Sequence, residues 1–194
     1  MMERLNSEEA LAKLMSGNKR YVSARQLHSN LTSERRAELK DGQRPIAIIL
    51  GCSDSRVPPE LIFDQGLGDL FVVRVAGNIL DDVVLGSIEY AASHLDTSLV
   101  MILGHSKCGA IEATVSRGNM EGHLPCLTAA IQPLLDEVKD KPGDLINNAA
   151  KANAKMIGQK LLSEPILAAR LNTGKLSVVA AFYDLDTGVV EVIS

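Results

Sequence analysis

The sequence predicts an α/β fold: a mostly parallel sheet of four strands with helices on both faces, a C-terminal antiparallel edge strand and an N-terminal helical arm. Four apolar runs are continuous rather than alternating, as in strands buried on both faces, and they lie at 46–50, 70–73, 99–103 and 177–182. Helical patterns separate these runs, at 80–94, 108–115, 127–138 and 144–162. Because strands that alternate with helices form parallel sheets, this order predicts the parallel core.

A turn signal near the C-terminus predicts the last strand. Asp186, Thr187 and Gly188 separate the fourth apolar run from a short apolar stretch at 189–192. A turn of this kind joins antiparallel neighbours in a hairpin. We therefore expect the final strand to run antiparallel at an edge of the sheet.

The first 43 residues differ in character from the rest of the chain. A short helical pattern carries four large apolar residues, Leu5, Leu11, Leu14 and Met15, and a second helix is expected from Ser33 to about Gly42. The segment has too few large apolar residues to fold alone. We expect one domain over 1–194, with an arm at 1–43 that packs either on a partner subunit or on its own core at 44–194.

Composition excludes several classes of protein. The chain has 194 residues, of which 46% are apolar, and this suits one domain with a core of its own. Aromatic residues make up 3%, tryptophan is absent and the formal net charge is −4, so nucleic-acid binding is not expected. No apolar run approaches the roughly 18 residues of a membrane span, and no signal peptide is recognisable. The three cysteines are then expected to be metal ligands or reactive thiols of a cytoplasmic protein.

Metal-ligating side chains follow the first and third predicted strands. Cys52 comes just after the run at 46–50, and His105 and Cys108 follow the run at 99–103. The carboxyl ends of the strands form the ligand-binding edge of an open α/β sheet, so these side chains should meet there. Two thiolates and one imidazole that leave a fourth position open are typical of catalytic zinc. Taken singly, each residue is more often a small core residue or a hydrogen-bonded histidine, but together they favour one Zn²⁺ per subunit.

An acidic and a basic residue follow the first cysteine. Asp54 and Arg56 lie two and four positions after Cys52, so Asp54 can face the open position of the metal. The guanidinium fork of Arg56 can hold the carboxylate off the metal, as a hydrogen-bond acceptor for bound water. A surface salt bridge at a turn is the alternative. Beside a metal site, the catalytic interpretation is favoured.

Three motifs resemble the β class of carbonic anhydrases. They are CSDSRVPPE at 52–60, GDLFVVR at 68–74 and GHSKCG at 104–109, and the likeness extends over nearly the whole chain. The resemblance implies a zinc-dependent carbonate dehydratase, a lyase that reversibly hydrates carbon dioxide to bicarbonate and a proton. It also implies a homodimer or a higher homo-oligomer such as a tetramer, with the arm wrapped over the partner.

The resemblance also implies residue roles. Cys52, His105 and Cys108 are implied as zinc ligands and Asp54 and Arg56 as the catalytic dyad. Five residues are implied around the carbon dioxide pocket, several of them donated by a neighbouring subunit: Gln43, Phe71, Ala76, Tyr90 and Gly109. From the residues alone, Phe71 and Tyr90 are equally well explained as core.

Departures from the family pattern predict a subgroup. Ile49 stands where one subgroup has a tryptophan that builds an inhibitory bicarbonate pocket. We therefore expect the other subgroup, in which Asp54 stays paired with its arginine and is a fourth zinc ligand only in a closed, inactive state. Val75 and Ala110 replace a family asparagine and a family glycine near the pocket. Both changes could affect the rate.

Residues outside the motifs receive ordinary roles. Cys126 matches no ligand position and is expected to be a small core residue. Three histidines, His28, His94 and His123, are expected at the surface, and His123 could shuttle protons.

Two other functions compete with carbon dioxide hydration. The same site could hydrolyse carbonyl sulfide or carbon disulfide, which are also small, linear and apolar. Alternatively, the zinc could stabilise an assembly module without turnover. Asp54 and Arg56 argue against that second alternative, because a structural zinc has no use for an oriented carboxylate.

Overall fold

The computed structural model describes residues 4–116 and 121–193. Its sheet contains five strands: β1 (Ala47–Cys52), β2 (Leu70–Val75), β3 (Leu99–His105), β4 (Ser177–Tyr183) and β5 (Val190–Val192). The α-helices of these ranges are α1 (Ser7–Val22), α2 (Ser33–Glu38), α3 (Pro59–Ile62), α4 (Asp82–His94), α5 (Gly109–Val115), α6 (Leu124–Val138), α7 (Leu145–Ser163) and α8 (Pro165–Leu171). Short 3₁₀ turns occupy Leu39–Asp41 and Ala76–Asn78. No helix within these ranges is both long enough and apolar enough to cross a bilayer.

The sheet has the strand order β2-β1-β3-β4-β5. The first four strands are parallel, and β5 pairs with β4 in the antiparallel direction. Every residue of β1 and β3 is buried, because these strands lie inside the sheet with helices on both faces. The predicted α/β fold, with its parallel core and antiparallel edge strand, is confirmed.

Alternate residues of β1 feed two apolar cores on opposite faces of the sheet. Ile48 and Leu50 belong to the core that contains side chains of α4, α7 and α8. Ile49 belongs to the opposite core, formed with side chains of α1 and α3. This period-two division anchors β1 from both sides and fixes the place where its carboxyl end emerges.

Two helices escaped prediction because both are short. Helix α3 has four residues, and α8 has seven and follows α7 after a single residue, Glu164, so neither stands apart in the sequence as a helical pattern of its own. Each begins with a proline, Pro59 or Pro165, whose fixed φ suits the first helical position. Helix α6 begins at Leu124, three residues before the predicted start at 127.

The N-terminal helix packs on the core of its own chain. Asn6 and Glu9 form a capping box at the start of α1. Leu14 is fully buried in the core beneath the sheet, and a Cβ at Gly17 would lie 1.7 Å from the carbonyl oxygen of Phe63. Of the two packings expected for the arm, the single chain thus has α1 against its own core. Helix α2 has no buried residue.

A buried carboxylate ties the segment after α1 to the loop after α3. One oxygen of Asp64, Oδ2, accepts hydrogen bonds from Nε of Arg20 at 2.6 Å and from the backbone N–H of Leu27 at 2.9 Å. The other oxygen, Oδ1, accepts from the backbone N–H of His28 at 3.1 Å. Although burial raises the pKa of Asp64, these hydrogen bonds hold it below its ordinary value.

We expect Asp64→Asn to lower the free energy of unfolding at pH 7 by roughly 2 kcal/mol, because it removes hydrogen bonds to a charged group. A carboxyl whose pKa is lower in the folded state stabilises the fold fully above its unfolded value of about 3.9. That stabilisation is lost as the pH falls through the lower folded value. Urea unfolding from about pH 7 down to about pH 2.5 should therefore show the difference from wild type shrinking with acid, below the unfolded value of about 3.9. Asp140→Asn, at an exposed carboxylate, is the control, and a pH-independent difference would contradict the prediction.

Candidate metal centre

The candidate site lies at the carboxyl edge of the sheet, where two neighbouring strands end side by side. Cys52 is the last residue of β1 and His105 is the last residue of β3, and the two strands are parallel neighbours. Cys108 follows as the residue that caps the N-terminus of α5. All three side chains are buried, and their ligand atoms lie within 4.8 Å of one another. The structure thus brings together the three residues that the sequence predicts to meet.

The imidazole of His105 is oriented by the backbone of its neighbour. Its Nδ1 lies 2.8 Å from the carbonyl oxygen of Ser106, so the tautomer that satisfies this contact carries its proton on Nδ1. Ser106 is itself fixed, since its Oγ accepts from the N–H of Leu185 and its own N–H donates to the carbonyl of Tyr183. Nε2 is then a buried lone pair, and it has no hydrogen-bond partner in the described part of the chain. A metal ion would satisfy this atom, which would otherwise be costly to bury.

The two sulfur atoms are surrounded by hydrogen-bond donors. Cys52 Sγ accepts from the backbone N–H of Asp54 at 3.4 Å and of Gly77 at 3.3 Å. Cys108 lies at the N-cap of α5, where the positive end of the helix dipole favours a thiolate. A hydrogen bond from the Cys108 thiol lowers the pKa of Cys52, and the same contact, together with burial, raises the pKa of Cys108. Metal binding requires both sulfur atoms to be deprotonated, so a divalent cation would displace their protons.

The donor set fits zinc. Two thiols and one imidazole nitrogen provide soft and borderline ligands, which zinc prefers to the oxygen ligands of magnesium or calcium. The buried lone pair on His105 is a further ligand atom that a zinc ion would satisfy.

The acidic and basic residues after Cys52 form a bidentate pair. Arg56 donates from Nε to Oδ1 of Asp54 at 2.9 Å and from Nη2 to Oδ2 at 2.7 Å. Its backbone N–H also donates to Oδ1 at 2.9 Å. These contacts lower the pKa of Asp54 to about 2, so the carboxylate is ionised at neutral pH. A further bond, from Nη2 to the carbonyl of Lys107, links the loop after β1 to the loop after β3.

A residue that sequence reasoning left without a role holds this turn in place. Arg74 on β2 donates from Nε to the carbonyl of Cys52 at 2.8 Å and from Nη2 to the carbonyl of Asp54 at 2.6 Å. It satisfies backbone carbonyls at the end of β1 that the sheet does not reach. Its place as the last residue of the motif at 68–74 was the signal that could have identified it.

The implied pocket residues fall into two groups. Ala76 and Gly109 lie beside the metal-ligating residues, in the 3₁₀ turn after β2 and at the first position of α5. Phe71 and Tyr90 contact each other across β2 and α4, with ring centroids 6.2 Å apart, and Tyr90 is half exposed. Gln43 is exposed and lies before β1, at the opposite end of that strand from the cysteine. One chain therefore does not bring all five residues to one site.

One expectation outside the motifs is wrong. Cys126 is exposed rather than part of the core, because it lies in the first turn of α6, before the buried stripe of that helix begins at Ile131. His28, His94 and His123 are exposed, as expected.

Comparisons with known proteins all point to one family. The family model described as carbonic anhydrase matches residues 47–190. A carbonic anhydrase of Mycolicibacterium smegmatis is 38% identical over 200 residues, which cover 98% of this chain and 95% of that protein. Carbonic anhydrase 2 of Mycobacterium tuberculosis (strain H37Rv) is 37% identical over 193 residues, with 96% and 93% covered.

Solved structures show the same fold. The β-carbonic anhydrase CcaA superposes with a TM-score of 0.76 at 28% identity, covering 95% of each chain. A tetrameric β-carbonic anhydrase of the filamentous ascomycete Sordaria macrospora also gives 0.76, at 25% identity, with 95% of this chain and 96% of that one covered.

Proposed function

The chain belongs to the β class of carbonic anhydrases, and we propose that Cys52, His105 and Cys108 hold its zinc ion while Asp54 and Arg56 orient the reacting water. The enzyme is a carbonate dehydratase, which converts carbon dioxide and water reversibly to bicarbonate and a proton. The observation that carries the residue roles is the buried cluster of two thiols and one imidazole beside a bidentate carboxylate–guanidinium pair.

Zinc, when bound, supplies a Lewis acid that lowers the pKa of a water molecule. The protein must then hold that water in one orientation. Asp54 suits this task because it is ionised at neutral pH and can accept a hydrogen bond from the water. An accepted hydrogen bond fixes the O–H group, so that an oxygen lone pair is left to face the carbon of carbon dioxide.

Arg56 determines where the carboxylate lies. Its fork engages both oxygen atoms of Asp54, and its bond to the carbonyl of Lys107 anchors the fork to the neighbouring loop. A carboxylate held in this way is kept from serving as a fourth metal ligand. With Ile49 in place of the tryptophan of the other subgroup, this pairing supports the subgroup that lacks the inhibitory bicarbonate pocket. A structure at neutral pH with Asp54 bonded to zinc would contradict this assignment.

The substrate pocket requires residues from a second copy of the chain. We assign the apolar wall and the polar contact to Gln43, Phe71, Ala76, Tyr90 and Gly109, which one chain leaves spread along both ends of the sheet. Strand β2 is the outer strand next to β1, and α2 has no buried residue, so both offer surface to a partner. The Sordaria macrospora relative is tetrameric. A homodimer or a tetramer, measured by light scattering, is the expected assembly.

Residues 1–194 form one catalytic domain in this proposal, with the arm at 1–43 and the core at 44–194. We also assign the enzyme to the cytoplasm, because all three of its cysteines are free thiols and a reducing compartment keeps thiolate ligands intact. His123 is exposed and remains a candidate for proton transfer to buffer.

Stopped-flow carbon dioxide hydration between about pH 7 and 9, on protein of assayed zinc content, tests the proposed site. We expect a rate well above that of buffer which rises with pH, because the water must lose a proton before it reacts. Full zinc occupancy without hydration would contradict the proposal. Turnover of carbonyl sulfide or carbon disulfide instead would then identify the competing hydrolase.

A further inference from the structure

A buried polar side chain lies where α7 packs on the sheet, close to the metal centre. Asn153 is 1% exposed, and its buried neighbours on the same helix include Ala149, Ala150, Ala154 and Ile157, all of them apolar. Its Nδ2 donates to the carbonyl oxygen of Gly77 at 2.9 Å. Burying a polar amide costs free energy unless the amide is hydrogen-bonded. The group to which it bonds therefore indicates what the amide does in the structure.

The glycine that accepts this hydrogen bond touches a metal-ligating residue. The backbone N–H of Gly77 donates to Sγ of Cys52 at 3.3 Å. Gly77 has a φ of 69°, and a Cβ there would lie 3.1 Å from side-chain carbons of both Ala110 and Ile131. The residue is therefore confined by its conformation and by two neighbouring helices. Its N–H and its carbonyl lie in two peptide planes that meet at Cα, and because φ and ψ are restricted here, holding the carbonyl also limits where the N–H can point.

We propose that Asn153 is a positioning residue of the metal centre, which acts through Gly77 on the sulfur of Cys52. The amide holds the Gly77 carbonyl, and the Gly77 N–H then stays aimed at the sulfur. A hydrogen bond to a thiolate withdraws electron density from it, which weakens its donation to a metal and leaves the metal more electrophilic. The proposal rests on the ligand assignment made above, because Cys52 must be a ligand for the contact to matter.

A matched control distinguishes this role from simple packing. Asn18 on α1 is also buried, at 3% exposed, and its Nδ2 also donates to backbone carbonyls, those of Ile62 and Gly188. None of these groups touches the metal centre. Asn18→Leu and Asn153→Leu both remove a buried amide of similar size, so both should destabilise the fold. Only Asn153→Leu should change the spectrum and the affinity of the bound metal.

Cobalt(II) is the probe, because its charge-transfer absorption from thiolate sulfur reports how strongly the sulfur donates. We expect the band of Asn153→Leu to move to longer wavelength than in wild type, since a sulfur that loses a hydrogen bond donates more readily. Competition with a chelator should show zinc affinity reduced on the order of tenfold, because the sulfur loses a contact that fixes its position and this loss outweighs its stronger donation. Asn18→Leu should keep both properties. Asn153→Ala removes the amide and introduces no larger side chain. It is the variant for the same measurements if Asn153→Leu does not fold.

The outcomes separate the inference from the ligand assignment. A wild-type cobalt spectrum without a thiolate band would overturn the ligand assignment, and the inference with it. A normal wild-type band that is identical in Asn153→Leu and Asn153→Ala would overturn the inference alone. A shift of equal size in Asn18→Leu would assign the effect to general loosening of the fold and would also overturn it.

Discussion

Replacing Cys52 with serine is expected to abolish zinc binding and carbon dioxide hydration together. The hydroxyl of serine does not ionise at neutral pH, so only one thiolate and the imidazole of His105 remain as ligands. The protein cannot easily supply a substitute ligand, because residue 52 is the last of a strand that is buried on both faces. Another ligand cannot reach the place of the lost sulfur without moving the sheet.

The measurement is zinc content after dialysis, followed by stopped-flow hydration. We expect less than one-tenth of the wild-type zinc and a rate at least about 100-fold lower, since the water loses its activating ion. Cys126→Ser is the matched control: it changes the same residue type at an exposed position in α6, and both properties should survive. Retained zinc in Cys52→Ser would remove this cysteine from the ligand set.

The second large effect is expected from Asp54→Asn, which should separate turnover from metal binding. The amide has nearly the same shape as the carboxylate, but one of its two polar atoms becomes a donor. That donor faces Nη2 of Arg56, which is also a donor, so the bidentate contact breaks and the side chain loses its fixed orientation. We expect kcat to fall by about 10²- to 10⁴-fold, the range typical of a positioned acid–base group.

Zinc content should stay at the wild-type level in this variant, because the metal-ligating cluster does not include Asp54. Asp136→Asn, at an exposed carboxylate of α6, controls for the change in net charge and should leave kcat unchanged. Unchanged turnover in Asp54→Asn would exclude the carboxylate from the reaction. Loss of zinc in the same variant would instead make it a ligand and contradict the paired arrangement.

The architecture could be predicted because its signals are local. Each parallel strand is a continuous apolar run, and each run is long enough to be told from the helical patterns around it. The metal-ligating residues were predictable for the same reason, since Cys52 and His105 stand at the ends of such runs. Once the strands are parallel neighbours, the position of both side chains follows.

What escaped prediction depends on contacts between distant parts of the chain. Asn153 meets Gly77 across 76 positions of sequence, and no local pattern marks either residue as a partner of the other. Cysteine is usually buried, which predicts a core position for Cys126, but its place before the buried stripe of α6 overrides that tendency. Gln43 lies at the far end of β1 from the site, so in the proposed assembly a second chain would supply it.

The anchoring of the metal-ligating residues has a consequence for how the enzyme is loaded. Cys52 and His105 end strands whose own side chains form apolar cores. The stability of the scaffold that holds them therefore comes from the burial of apolar side chains and not from the binding of the ion. In zinc fingers, by contrast, the ion is needed for the chain to fold at all. We therefore expect this enzyme to complete folding first and to acquire its ion afterwards. Activity in the cell would then follow zinc supply, while the amount of folded protein would not.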